Sequence, residues 1–314
     1  MRRCIELASK NVGYTYPNPL VGSVIVCDNK IIGEGSHEKY GESHAEVNAI
    51  NSVKDKRLLK NSTLYVNLEP CNHHGKTPPC TEAIINNNIK KVVIGSQDPN
   101  KLVNGSGIEK LRSSGCNVSV GILDKECDEL NKRFFTYHKL KRPFIILKWA
   151  ESKDGFISPI KSMNTLKKVN WISGEDAKKL SHKWRSEEHS ILVGVQTIID
   201  DDPILTTRFV EGRSPIRFVL DPSSRIPLDS RILSDNVKTT ILSKKENKLI
   251  PNYTKAIEFD DINLIIKSIY EMNIQSIIIE GGTNELILPD KSNENIRYLT
   301  AFLGVLITIL VSRK

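Results

Sequence analysis

Glu69-Pro70-Cys71-Asn72-His73-His74-Gly75-Lys76-Thr77-Pro78-Pro79-Cys80 is the stretch on which the reading of this chain turns. It carries two thiols, Cys71 and Cys80, separated by eight residues. Upstream lies its partner, His44-Ala45-Glu46. One histidine and two cysteines form the ligand set of a zinc centre that keeps its fourth position open. Glu46 follows the histidine too closely to be an independent ligand. It is well placed to handle protons beside the metal.

The pattern H-x-E, then P-C and a further Cys, is that of the zinc deaminases, with the Glu as acid/base. The residue types suit that chemistry. Zinc lowers the pKa of bound water to about 7. Two thiolates and a neutral imidazole leave the metal close to neutral, so it polarises water without holding it irreversibly. A carboxylate then carries the proton to the ring nitrogen and the leaving amine. A closed structural zinc site would need His73 or His74 as a fourth ligand, and would leave Glu46 without a role.

Working outward, Ser43 is the expected cap of a helix over 44–52, with His44 and Glu46 in its first turn. There the helix dipole would favour negative charge at the metal. Residues 2–12 predict an earlier helix, broken by Pro17-Asn18-Pro19. Strands are expected at 21–26, 31–35, 63–68, 91–95 and 117–120. Helices are expected at 81–87 and 107–114 and from Asp124. This alternation predicts an α/β sandwich. Lys139-Leu140-Lys141-Arg142-Pro143 is charged and ends in proline, which places a boundary between domains 1–143 and 144–314. Phe144 to Ala150 is a continuous apolar run, the signature of a buried parallel strand. A helix over 175–186 and strands at 190–195, 216–220 and 276–279 follow. The last strand closes on Glu280-Gly281-Gly282-Thr283, a turn whose free N–H groups suit a pyrophosphate. The fingerprint G-x-G-x-x-G is absent.

At 314 residues the chain is long enough for two cores. Six irregularly spaced cysteines do not read as a disulfide framework, which favours a reduced, cytoplasmic setting. The formal net charge is +8, and residues 1–143 hold 21 Lys/Arg against 15 Asp/Glu. Such a surface suits phosphorylated small molecules, or simply reflects a lysine-rich composition. A nucleic-acid partner is not expected, because a base deaminase has no use for the long zinc loop or a second α/β domain.

The zinc loop closely resembles that of the bacterial bifunctional riboflavin-biosynthesis deaminase–reductases. Pro17-Asn18-Pro19-Leu20-Val21-Gly22, His44-Ala45-Glu46 and Gln97-Asp98-Pro99-Asn100 fit the same family. The second half is similar to its reductase domain through Lys148, Ser152-Lys153-Asp154-Gly155, Trp171-Ile172-Ser173, Arg185, Asp201 to Arg208 and Ile279 to Thr283. The resemblance implies a cytidine-deaminase-like α/β/α sandwich followed by a dihydrofolate-reductase-like α/β domain. It implies zinc and NADPH as cofactors and a phosphorylated pyrimidine as substrate. Deamination of the pyrimidine would precede reduction of its ribosyl group. By the same resemblance His44, Cys71 and Cys80 bind zinc and Glu46 is catalytic. Asn18, His37, His73 and Lys76 hold the pyrimidine and its phosphate. In the second domain Val169, Arg185, Leu205, Arg208 and Glu280 face the substrate. Lys148, Trp171, Thr197, Asp201, Pro222, Gly281, Gly282 and Thr283 line the cofactor. Subunit pairing through the reductase domain is left open.

After Thr283 the chain departs from the family. A polar segment, 289–295, leads to a 14-residue apolar run, Tyr298 to Val311. That is short of the roughly 20 residues a membrane helix needs, so no membrane contact is expected. The expectation is an atypical, truncated reductase domain with an unpaired sheet edge. The alternative function that follows is deamination alone, with reduction impaired.

Overall fold

The computed structural model describes residues 1–75, 77–151, 174–250, 253–256, 262–281 and 306–311. The chain divides into two compact units, Met1–Lys141 and Arg142–Lys314.

The first unit is a five-stranded sheet in the order β2-β1-β3-β4-β5, formed by β1 (Gly22–Cys27), β2 (Lys30–Ser36), β3 (Thr63–Leu68), β4 (Lys91–Ser96) and β5 (Asn117–Val120). β2 and β3 run antiparallel to β1, whereas β3, β4 and β5 are mutually parallel. Strand alternation sends side chains to two faces. Ile25, Leu64, Val66, Val92, Ile94 and Val118 share a core with Ala49 and Ile50 of α2 (Ala45–Ser52), Ile84 of α3 (Cys80–Asn86) and Ile108 and Leu111 of α4 (Ser106–Ser113). The opposite face meets α1 (Arg2–Ser9) and α5 (Asp124–Leu130) so closely that side chains are excluded. A Cβ on Gly22 would lie 2.1 Å from the Cys4 carbonyl, and one on Gly95 would lie 2.4 Å from Cys127 Sγ. α6 (Lys132–Leu140) adds Phe134 and Phe135 against Leu68 and Val21.

Two local expectations are corrected. The first helix stops at Ser9, three residues short of the expected end. The N-cap of α2 is His44 rather than Ser43: its backbone is extended and its carbonyl accepts from Asn48 N–H.

The second unit is a seven-stranded, fully parallel sheet, with order β10-β9-β8-β7-β11-β6-β12. Its strands are β6 (Phe144–Glu151), β7 (Ser190–Gly194), β8 (Ile216–Leu220), β9 (Thr239–Ser243), β10 (Thr254–Ala256), β11 (Ser276–Glu280) and β12 (Leu306–Val311). Consecutive residues feed alternate cores. Ile145, Leu147, Leu192, Phe218, Leu242 and Ile277 pack with Ile265 and Ile269 of α9 (Ile262–Glu271). Ile146, Ile191, Val193, Val219, Ile241 and Ile278 pack with Ile198 of α8 (Val195–Asp201) and with Ile232. Both faces are therefore covered, which is why these strands read as unbroken apolar runs. α7 (Glu175–Glu187) precedes β7.

The apolar tail departs from expectation. Leu306 to Val311 pairs in parallel with Ile146 to Glu151, so the edge of β6 is occupied instead of open. An apolar segment of this length can satisfy its backbone groups only by joining a ladder or a helix. Among the described residues, no helix is long and apolar enough to cross a membrane.

Candidate active sites

The first site forms where two helices start and one strand ends. His44 caps α2, Cys80 opens α3, and Cys71 lies three residues past the end of β3. Their donor atoms lie within 4.8 Å of one another. His44 Nδ1 is 3.3 Å from Cys80 Sγ and 3.5 Å from Cys71 Sγ. Ligands around a tetrahedral zinc at ~2.0–2.3 Å stand roughly 3.5–3.8 Å apart. The triad thus fits zinc through the Nδ1 nitrogen. Cys71 is held well below the usual thiol range, at about 4, because it accepts from Cys80 and lies beside His44. A thiolate is the form a metal requires.

Glu46, in the first turn of α2, is 3 % exposed. Burial, reinforced by the negative charge at Cys71, raises its carboxyl to about 7. That is the range in which a carboxylate can both take and return a proton near neutrality. His37 is buried, with its ring edge-on to His44 at 5.3 Å between centroids. Its Nδ1 lies 3.1 Å from the Ser43 carbonyl and its Nε2 3.1 Å from Asn18 Nδ2. A carbonyl can only accept, so Nδ1 carries the proton and Nε2 accepts from Asn18. His73 is exposed, and His74 lies 3.4 Å from Glu82 rather than at the triad. Neither joins the metal-ligand cluster found among the described residues. Lys76 lies outside the described residues.

Glu69 is a site residue that motif reading treated only as a signpost. Its carboxylate is 4 % exposed and accepts from the backbone N–H groups of Asp98, Gly105, Gly107 and Ile108. It thereby fixes the loop into α4 against the start of the zinc loop. Gly107 is required there, since a Cβ would lie 2.1 Å from the Pro70 carbonyl. No local signal in the sequence marks this role, because the four amides lie 29 to 39 residues further along the chain.

A second candidate site lies toward the carboxyl ends of four adjacent parallel strands, β8-β7-β11-β6. Glu280 ends β11 and pairs in register with Lys148, three residues before the end of β6; Gly194 ends β7, and Asp221-Pro222 follows β8. Chain order reverses here: β6 is followed in sequence by β7, yet β11 lies between them. Open α/β sheets bind ligands at such a switch point. Thr197 and Asp201 lie on α8, directly after β7. The Asp221 carboxylate accepts from Arg225 and Ile226 N–H, shaping the turn that holds Pro222.

The charges at this end are arranged as a nest. Arg185 forks onto Glu280 through Nη2–Oε2 at 2.7 Å and Nε–Oε1 at 3.2 Å, and Lys148 Nζ lies 3.6 Å from Oε2. Burial alone would push the Glu280 carboxyl up, but the two cations hold it at about 2. Arg208 N–H donates to His182 Nδ1, and its guanidinium donates to Thr206 Oγ1. Burial, together with Arg185 and Arg231, disfavours the Arg208 charge. Leu205, 3 % exposed, sits in left-handed backbone at φ 57° two residues before Thr207. Gly281, also at positive φ (157°), follows β11. Val169, Trp171, Gly282 and Thr283 lie outside the described residues.

Both units match known protein families. Residues 1–96 match the profile of the cytidine and deoxycytidylate deaminase zinc-binding region, and residues 143–286 match that of the RibD C-terminal domain. Riboflavin biosynthesis protein RibD of Aquifex aeolicus is 43 % identical over 91 % of this chain and 81 % of its own length. The Escherichia coli RibD is 34 % identical over 90 % and 80 %. The crystal structure of a diaminohydroxyphosphoribosylaminopyrimidine deaminase/5-amino-6-(5-phosphoribosylamino)uracil reductase from Thermotoga maritima matches with a TM-score of 0.82 at 40 % identity, covering 91 % of this chain and 81 % of that one. Acinetobacter baumannii RibD matches with a TM-score of 0.86 at 30 % identity, covering 99 % and 85 %.

Fold and site therefore define a two-centre enzyme, a zinc-dependent deaminase joined to an α/β reductase. Its cofactors are zinc and NADPH. The chain belongs to the RibD family of riboflavin-biosynthesis proteins.

Proposed function

We infer that this chain performs two consecutive reactions of riboflavin biosynthesis. Diaminohydroxyphosphoribosylaminopyrimidine is hydrolytically deaminated in unit one. The ribosyl group of the resulting 5-amino-6-(5-phosphoribosylamino)uracil is then reduced with NADPH in unit two. The observation that carries this reading is the His44–Cys71–Cys80 triad with buried Glu46 beside it, in a chain that also holds the RibD C-terminal domain.

Zinc held by His44 Nδ1, Cys71 and Cys80 supplies the Lewis acidity that makes water a nucleophile near neutral pH. Glu46 would take one proton from the water and pass it to the ring nitrogen, then take the second from the hydroxyl added to the ring carbon and pass it to the departing amine. Asn18 and His37 orient the pyrimidine, while His73 and Lys76 on the zinc loop meet its phosphate. NADPH would be held at the strand ends by Lys148, Thr197, Asp201, Pro222 and Gly281 and would supply the hydride; resemblance to the family carries the same role to Trp171, Gly282 and Thr283. Arg208, whose fork meets no carboxylate among the described residues, is the side chain suited to the substrate phosphate. Arg185, by contrast, spends its fork on Glu280, and the pair offers one polar edge to the substrate; Leu205 and, by family resemblance, Val169 are the apolar contacts proposed with it.

The occupied β6 edge favours a working reductase over a chain that only deaminates. The deciding experiment incubates the purified full chain with the pyrimidine and follows its ultraviolet-absorbing products by chromatography, with and without NADPH. The aminouracil should accumulate without NADPH and the ribityl compound should form with it. Failure to form the aminouracil would sink the reading. Aminouracil without NADPH oxidation would leave only its first half.

A further inference from the structure

Two buried asparagines meet on one residue between the Asn18 loop and β1. The Asn131 side chain, at the junction of α5 and α6, accepts from Leu20 N–H at 2.8 Å and donates to the Leu20 carbonyl at 2.9 Å. Asn67, on β3, donates to the same carbonyl at 2.9 Å and accepts from Gly22 N–H at 2.7 Å. Asn131 is 3 % exposed and Asn67 0 %. The partners are 111 and 47 residues from Leu20 in sequence, so neither bond is a local turn.

We propose that Asn131, together with Asn67, is a positioning residue of the deaminase that locks Leu20 and so fixes where the Pro17-Asn18-Pro19 loop holds Asn18. The inference rests on the reading of Asn18 as a substrate contact. Proline on both sides of Asn18 restricts the backbone to few conformers, so a shift at Leu20 passes to Asn18 with little loss. The far side of the loop is tied by Asn18 N–H to the Thr15 carbonyl, and Val21 carbonyl accepts from His37 N–H. Asn18 in turn bonds to His37, whose ring abuts His44. Asn67 lies four residues before Cys71 on the strand that feeds the zinc loop. The clamp thus holds the pyrimidine-facing loop and a metal ligand in one frame. It draws Asn131 from beyond residue 96, where the match to the deaminase zinc-binding region ends.

An ordinary packing role would predict general damage, whereas a positioning role predicts a selective one. Asn131→Asp is nearly isosteric, keeps the acceptor for Leu20 N–H and removes the donor to its carbonyl. In the full chain it should raise KM for the pyrimidine about tenfold, the scale of one buried hydrogen bond left unmade. It should leave kcat within about twofold, because the Asn131 side chain bonds Leu20 while Asn67, which lies on the strand leading to Cys71, is unaltered; zinc content and reductase activity should be retained. Asn18→Ala should also raise KM, and the double variant should be no worse than Asn18→Ala alone. An unchanged KM in Asn131→Asp with a raised KM in Asn18→Ala overturns the clamp alone. An unchanged KM in Asn18→Ala overturns the substrate role of Asn18, and the clamp's purpose with it. Additive effects in the double variant place Asn131 on another route and also overturn the proposal. Should Asn131→Asp not fold, amide hydrogen exchange on the unaltered protein decides. Leu20 and Gly22 amides should exchange as slowly as the β1 core, and exchange at loop rates would refute the clamp.

Discussion

Arg185 and Glu280 are 95 residues apart in sequence and joined by a two-point ion pair inside the second unit. Arg185 is 12 % and Glu280 10 % exposed at the side chain, so the pair is largely out of water. Removing one partner of such a pair leaves a buried charge, at a cost of about 3–5 kcal/mol. Glu280→Gln keeps the shape but would leave Arg185 and Lys148 facing each other uncompensated. Its expected result is a lower thermal midpoint for the second unit and a loss of reduction of at least about tenfold. Deamination by the same preparation should be unaffected. Calorimetry and paired assays check both halves at once.

Glu46→Gln should separate metal binding from chemistry. The substitution leaves the His44–Cys71–Cys80 triad intact and removes the group that moves protons. One zinc per chain should remain by elemental analysis, while deamination falls by roughly 10²–10⁴-fold. A zinc-free variant would make Glu46 a ligand and would refute the assigned role. Cys80→Ser should instead lose the metal and the activity together.

Arg217 anchors the segment that leads into Leu205 and Arg208, the proposed substrate contacts. It is 0 % exposed and donates to the carbonyls of Ile204, Ile232 and Val237, to Thr239 Oγ1 and to both oxygens of Asp235. Ile204 immediately precedes Leu205-Thr206-Thr207-Arg208. Lysine cannot reproduce this fork. Arg217→Lys is therefore expected to destabilise the second unit and raise KM for the aminouracil, with deamination retained. Equal KM values in steady-state assays would show that the loop stands without this anchor.

Two histidines in the second unit should make it acid-sensitive. Burial, with Arg185, Arg208 and Lys148 nearby, lowers His182 to about 4 despite Glu280, and burial with Arg213 and Lys238 lowers His189 to about 3. Both rings accept a backbone N–H through Nδ1, from Arg208 and Gln275 respectively. The unfolded chain protonates its histidines near 6.5, whereas the folded unit resists. Between those values the unfolded state binds more protons, so stability falls as pH drops below about 6.5 and continues to fall until pH passes through about 4 and then 3. Thermal midpoints at a series of pH values test this. His182→Asn, which can still accept from Arg208, should flatten part of the slope.

The tail offers a direct test of the second sheet. Deleting 306–314 would strip six residues from the ladder beside β6 and expose its edge. The shortened chain should aggregate more readily and lose reduction, while still deaminating. Residues 1–143 expressed alone should also deaminate, since the first unit has its own core. Unimpaired NADPH oxidation by the shortened chain would remove β12 from the working fold.

Sequence alone determined the zinc chemistry. His44, Glu46, Cys71 and Cys80 are legible because ligand type and short spacing are local properties, and few chemistries use that set. The strands at 63–68 and 117–120 agree with the structure to the residue, and Ile216 to Leu220 likewise, because burial on one or both faces writes itself into the apolar pattern. β9 and α9 went unread; their apolar residues face cores assembled from distant strands. The fate of the 306–311 run was equally hidden, since an apolar hexamer becomes a strand only when an open edge is there to pair with it. Only tertiary structure showed that Arg185 is spent on Glu280, that Glu69 gathers four amides, and that Asn67 and Asn131 converge on Leu20. Each of these depends on groups tens of residues apart. A hydrogen bond requires donor and acceptor within about 3 Å, and that proximity is created by packing, not by neighbouring letters.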